Sequence, residues 1–183
     1  GYQANRLTTA YWPLYPWLVG LAHRLTGWAI PTIGVLLSNA ALLLALCLLH
    51  RLTRLDFGSA VADRAVWLIA LAPTAYYFSG VYTEGLFLLL TVAAFLLARL
   101  DRWPAGGAMG AMAALTRVTG VLLLAPLAVL LIQRLGRAPW RRWRQALPLL
   151  LVPLGPLAFM AHLQVVWGDP WLTFRQQQLW ARG

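Results

Sequence analysis

An all-α, polytopic transmembrane helical bundle is what this sequence predicts, and three observations carry the prediction. Hydrophobic residues make up 61% of the 183 and charged residues only 11%, with a mean hydropathy of +0.67. A soluble domain carries roughly a quarter charged residues, so water is the wrong solvent for this chain. The apolar residues fall into long runs separated by short basic or aromatic segments, the pattern of helices that cross a bilayer.

The order of elements follows from those runs. Tyr11 to Pro16 leads into Trp17-Leu18-Val19-Gly20-Leu21-Ala22, too short to span before His23 and Arg24, which predicts an interfacial helix anchored by aromatic rings. The first spanning run is Ile30 to Leu49, with Pro31 at its start, where a missing N–H costs little, and His50-Arg51-Leu52-Thr53-Arg54 at its end. Ala65 to Phe78 is a second run that passes Pro73, and Leu86 to Ala98 is a third. They predict a hairpin with Glu84 at its tip. Ala105 to Leu115 is rich in small residues (Gly106, Gly107, Gly110) and reads as a half-helix suited to close packing in lipid. Val121 to Ile132 is the fourth run and Ala146 to Val166 the fifth, where Pro148, Pro153 and Pro156 predict kinks. The whole is one domain of about five spanning helices, the half-helix and the interfacial helix. Residues 1–28 and 168–183 are read as external segments and 30–167 as membrane helices.

Charge supplies the sidedness. All 15 basic residues are Arg, and the net charge is +10. On a soluble chain this excess would raise nucleic-acid binding. Here the arginines stand between apolar runs instead of lining a face, so nucleic acid is not an expected partner and the lipid bilayer is. Alternating the run ends places Arg51, Arg54, Arg64, Arg99, Arg102, Arg134, Arg137, Arg141, Arg142 and Arg144 on one side and Arg6, Arg24, Arg117, Arg175 and Arg182 on the other. The first side is then cytoplasmic by the positive-inside rule. The other collects Glu84, Arg117, Asp169 and six of the tryptophans.

Glu84 is one of five carboxylates and stands between two apolar runs in Ser79-Gly80-Val81-Tyr82-Thr83-Glu84-Gly85. An ionisable group at such a place is a functional candidate. It also has a plainer reading, as a first-turn acid beside a Thr83 cap. Arg117, within Thr116-Arg117-Val118-Thr119-Gly120, either snorkels to the interface or clamps a phosphate with its planar fork. Asp169 in Gly168-Asp169-Pro170, followed by Gln177 and Trp180, reads as a turn with a polar exit or as a second acid in the wall of a cleft. His23, His50 and His162 lack ligand spacing, so neither a metal nor another cofactor is expected. Cys47 stands alone, so no disulfide forms within the chain.

The order of these motifs is specific. Pro13-Leu14-Tyr15-Pro16, Ser38-Asn39, Tyr82-Thr83-Glu84-Gly85-Leu86-Phe87, Thr116-Arg117-x-x-Gly120 and Gly168-Asp169-Pro170 with Gln177-x-x-Trp180 together resemble the PIG-V type of mannosyltransferase in its bacterial form, over nearly the whole chain. The resemblance implies a GT-C-class membrane glycosyltransferase. Such an enzyme uses a polyprenyl-phosphate-linked sugar donor, with mannose the sugar implied, on the non-cytoplasmic face of the bacterial inner membrane. It does not name the acceptor. It implies substrate-binding roles for Tyr15, Tyr82, Glu84, Arg117, Asp169 and Gln177. It also implies an external loop with a Trp-Asp pair, which holds the catalytic aspartate, shortly before a Gly-Tyr that Gly1-Tyr2 resembles. The catalytic aspartate is therefore expected upstream of Gly1, the chain is expected to be a fragment, and as given it is expected to be inactive. Two other classes stand beside this reading: a non-catalytic membrane scaffold or lipid-binding protein, and a segment of a transporter. Transport is disfavoured by charges at run ends and by the absence of an internal repeat.

Overall fold

The computed structural model describes residues 11–136 and 146–180. Arg6, Arg137, Arg141, Arg142, Arg144 and Arg182 of the sidedness count, and the Gly1-Tyr2 pair, lie outside the described residues. Among those described there is no strand, and nine α-helices build one bundle: α1 (Leu14–Thr26), α2 (Ile30–Phe57), α3 (Ser59–Ala70), α4 (Tyr76–Ser79), α5 (Glu84–Arg99), α6 (Trp103–Thr116), α7 (Leu124–Leu135), α8 (Leu151–Trp167) and α9 (Leu172–Trp180). A short 3-10 stretch, Val118–Leu123, continues directly into α7.

The fold is the all-α bundle that composition predicts, and the protein is an integral membrane protein. Three segments are long and apolar enough to cross a membrane: Ile30–Phe57, Val118–Leu135 and Ala146–Trp167. The other two expected runs take different forms. The second divides into the end of α3 and the single turn of α4, because Pro73 disfavours helical backbone at the residue before it and offers no N–H. The third is α5, whose 16 residues rise only about 24 Å, short of the ~30 Å hydrocarbon core. At the basic end, α2 continues past Leu49 through His50-Arg51-Leu52-Thr53-Arg54. These are tolerable helix residues, and the helix stops only at Gly58, whose φ of +85° lies where a side chain would be strained.

Pairing also departs from the predicted hairpin. α2 packs along both α3 and α5, and α5 in turn packs on α6. The interfacial helix α1 lies against α2 and α6. It ends where Gly27, at φ +71°, closes the last turn by donating its N–H to the His23 carbonyl. Of the three prolines in the last run, Pro148 precedes α8, Pro153 sits in its first turn, and only Pro156 is internal.

In lipid, apolar side chains gain little by meeting one another, so close backbone approach has to hold helices together. The half-helix α6 is built for it. Gly106, Gly107, Gly110, Ala113 and Ala114 are buried along it, between α5 on one side and α8 with the segment before it on the other. A methyl group at Gly106 would lie 3.1 Å from the Ala94 carbonyl oxygen, and one at Gly107 only 2.1 Å from that of Pro148. Three apolar cores result. Tyr15, Ile33, Leu86 and Leu90 join α1, α2 and α5. Ala98, Trp103, Leu127 and Val152 join α5 to α8 near the basic end. Trp12, Phe159 and Leu163 pin the segment before α1 onto α8.

Candidate functional site

At the end away from most of the described arginines, α1, the α4–α5 turn and the α6–α7 junction enclose a cleft of about 560 Å³. Its construction starts at Gly85. With no side chain there, the first turn of α5 abuts α2, and a methyl group would lie 2.9 Å from the Ser38 carbonyl oxygen. Glu84, the first residue of α5, is thereby held at the mouth of the helix against the middle of α2.

Tyr15 secures the opposite wall. Its phenol, 6% exposed, lies 2.9 Å from the Ser38 hydroxyl and can also donate to the Gly34 carbonyl at 3.0 Å. Ser38, fully buried, donates to the Tyr82 carbonyl at 3.2 Å. One step along the helix, the Asn39 amide donates to the Ser79 carbonyl at 3.0 Å. Two side chains inside an apolar run thus tie the α4–α5 turn to α2 through backbone carbonyls of that turn. Burial pushes the Tyr15 phenol above its ordinary pKa, so it remains a protonated donor. Tyr15→Phe removes the hydroxyl's contacts to Ser38 and Gly34 and keeps the ring, and is expected to lower stability by about 1 kcal/mol in thermal unfolding.

Across the cleft, α6 ends at Arg117, whose backbone is extended (φ −150°, ψ 134°) before the 3-10 stretch begins. The guanidinium reaches Glu84, with Nη1 donating to Oε1 at 2.5 Å. The two side chains are 42% and 28% exposed, so the pair is partly desolvated but open to the cleft. The plainer reading of Glu84 holds in part, since it is the first-turn acid of α5. Thr83 occupies the cap position of α5 without a side-chain capping bond, and the Glu84 carboxylate goes to Arg117. Arg117 meets an acid while keeping 42% of its side chain exposed.

Two polar atoms at this cleft are buried without a hydrogen-bond partner: Glu84 Oε2 and the Trp12 indole Nε1. One accepts and the other donates. Buried polar atoms are ordinarily paired, so these two stand out as exceptions in the cleft wall. Trp12 was legible only as part of an aromatic anchor. In the fold it is 4% exposed, packed on Phe159 at 5.5 Å and edge-on to Phe174 at 5.9 Å. Tyr82 presents its ring to the cleft and meets Tyr77 edge-on at 5.5 Å, while Tyr11 and Gln177 complete the rim.

Tyr15, Tyr82, Glu84, Arg117 and Gln177 therefore line one space, though they come from four parts of the chain. Asp169 does not join them. Its carboxylate accepts the Trp171 N–H at 3.0 Å and pairs with Arg175 at 3.2 Å, which is the turn reading and leaves it no place in the cleft wall. Among the described residues, no three His, Cys, Asp or Glu side chains gather as a metal site.

Fold and cleft together define a helical membrane protein with a charged, aromatic-walled site at one end of its bundle. No known family, curated protein or solved structure matches the chain.

Proposed function

We propose that this protein is a membrane glycosyltransferase of the PIG-V type, transferring a sugar, mannose by the resemblance, from a polyprenyl-phosphate donor to an acceptor hydroxyl on the non-cytoplasmic face of a bacterial inner membrane. The observation that carries the reading is the cleft itself. It brings an arginine, a carboxylate with one unpartnered oxygen, an unpartnered indole N–H and exposed tyrosine rings into one space at the end of the bundle away from Arg51, Arg99, Arg102 and Arg134.

Each feature fits one part of such a donor. The Arg117 fork suits a phosphate, bridging or terminal. A sugar hydroxyl both donates and accepts, which is what Glu84 Oε2 and Trp12 Nε1 together lack. Tyr82 and Tyr11 offer flat apolar faces to a pyranose ring. In the inverting transfer, a carboxylate takes the proton of the acceptor hydroxyl, its oxygen attacks the anomeric carbon, and the bond to the lipid phosphate breaks with its electron pair on that phosphate. On this reading the base is the aspartate implied by the resemblance, Glu84 positions the sugar, and Arg117 meets the charge that develops on the leaving phosphate.

The test is release of polyprenyl phosphate from labelled polyprenyl-phosphate mannose by the full-length gene product in proteoliposomes. Arg117→Ala is expected to lower turnover per folded molecule about a hundredfold, the effect of removing one donor aimed at developing charge in a water-poor site. Unchanged turnover would remove Arg117 from the reaction. Donor binding without turnover in the unaltered protein would replace the enzyme by a lipid-binding scaffold.

A further inference from the structure

The opposite, basic end of the bundle holds a second feature that the sugar-transfer reading does not use. α2 and α5 run side by side to this end, and between them, closed off by the turn into α6, lies a groove of about 320 Å³. Its walls are mostly apolar, chiefly Leu48 from α2 and Leu96, Leu97 and Leu100 from α5 and its turn, and the two charged residues that line it are Arg51 and Arg102.

These two arginines are free because the acids at this end are already engaged. Asp56 pairs with Arg99, Asp63 with His50 at 3.0 Å, and Asp101 with Arg134 at 2.9 Å. Asp101 also accepts the Trp103 indole N–H, which fixes the turn after α5 at a left-handed φ of 64°. No described carboxylate reaches Arg51 or Arg102. The groove is thus apolar along its length and carries uncompensated positive charge at one end.

The geometry points to a binding site for one anionic glycerophospholipid, its phosphodiester held between Arg51 and Arg102 and the upper part of an acyl chain lying along Leu96, Leu97 and Leu100. Charge selects the occupant. A phosphodiester takes two-point hydrogen bonds from guanidinium groups, and a lipid whose headgroup adds no cation keeps its single negative charge for the arginine pair, where a zwitterionic lipid brings a competing cation. A free phosphate satisfies the charge but leaves the leucines uncovered. Basic pockets between membrane helices hold anionic headgroups by the same combination. The lipid would do for α2 and the α5–α6 turn what Asp56 does for α2 and α5, joining them across the groove.

The experiment is native mass spectrometry of the whole protein released from nanodiscs of mixed phosphatidylglycerol and phosphatidylcholine. Retention of phosphatidylglycerol over phosphatidylcholine by about tenfold is expected for the unaltered protein. R51Q/R102Q is expected to bring that preference down about tenfold, whereas R54Q/R64Q, which removes the same charge from the same end outside the groove, is expected to keep it within about twofold. Arg102 is exposed in a turn, so R102Q alone supplies the comparison, with about a threefold loss, if the double variant does not fold. Equal loss in the two double variants would reduce the effect to general surface charge and overturn the site. Equal retention of the two lipids would do the same, as would full displacement of the lipid by millimolar inorganic phosphate.

Discussion

Gly107→Ala is expected to be the most damaging small substitution in the bundle, lowering stability by about 3 kcal/mol or preventing assembly of the last segment altogether. The added methyl group would lie 2.1 Å from the Pro148 carbonyl oxygen and 2.8 Å from its carbon. Both are backbone atoms, so no side-chain rotation relieves the overlap, and α6 has to move off the segment that leads into α8. That movement opens the contact around Val152 and Leu149, where the core of the basic end is closed. A useful contrast is Gly20→Ala in α1. Nothing lies within 4 Å of the methyl group there. That change is expected to be neutral or to stabilise by about 0.5 kcal/mol, because alanine loses less backbone freedom in a helix. Thermal unfolding of the two variants in detergent checks both, and a Gly107→Ala protein as stable as the unaltered one would mean that α6 and Pro148 are not in contact.

The second large effect concerns the Glu84–Arg117 pair. Arg117→Ala is expected to cost about 2 kcal/mol of stability and Glu84→Gln about 1 kcal/mol, below the 3–5 kcal/mol of a fully buried pair because both side chains keep some contact with solvent. The asymmetry follows from burial. Removing the arginine strands a carboxylate that is the less exposed partner and whose second oxygen is already unpaired, whereas glutamine keeps the shape of Glu84 and an amide oxygen that still accepts from Arg117. A double-mutant cycle read by thermal unfolding is expected to show a coupling of about 1 kcal/mol. Strict additivity would mean the guanidinium and carboxylate do not meet. The same cycle keeps the hundredfold loss of turnover expected for Arg117→Ala separate from a loss of folded protein.

How much of the site was legible depends on the kind of residue. Glu84 and Arg117 stood out because a charge between apolar runs is costly and therefore conspicuous. That they face each other was not legible, since 33 positions and a turn of direction separate them. Ser38 and Asn39 were visible as polar residues in a spanning run, but their acceptors are backbone carbonyls of Ser79 and Tyr82, which carry no side-chain signature. Trp12 looked like the other interfacial tryptophans, and only its burial against Phe159 and Phe174 separates it from them. Asp169 illustrates the opposite error: an acid beside Gly and Pro is as good a turn residue as a site residue, and the fold assigns it to the turn.

From composition and the spacing of apolar runs alone came the solvent of this protein, its all-helical class, the positions of most helices and the asymmetry of its two ends. Those follow from local quantities, because in lipid each backbone must satisfy its own hydrogen bonds and each exposed side chain must match the bilayer. Only the tertiary structure decided which runs are long enough to span and which neighbours they choose. It also decided that the acid of α5 meets the arginine at the end of α6, and that Arg51 and Arg102 are left without one. These depend on where glycines permit backbones to touch and on which acids are already engaged, and both are set by contacts between residues far apart in the chain.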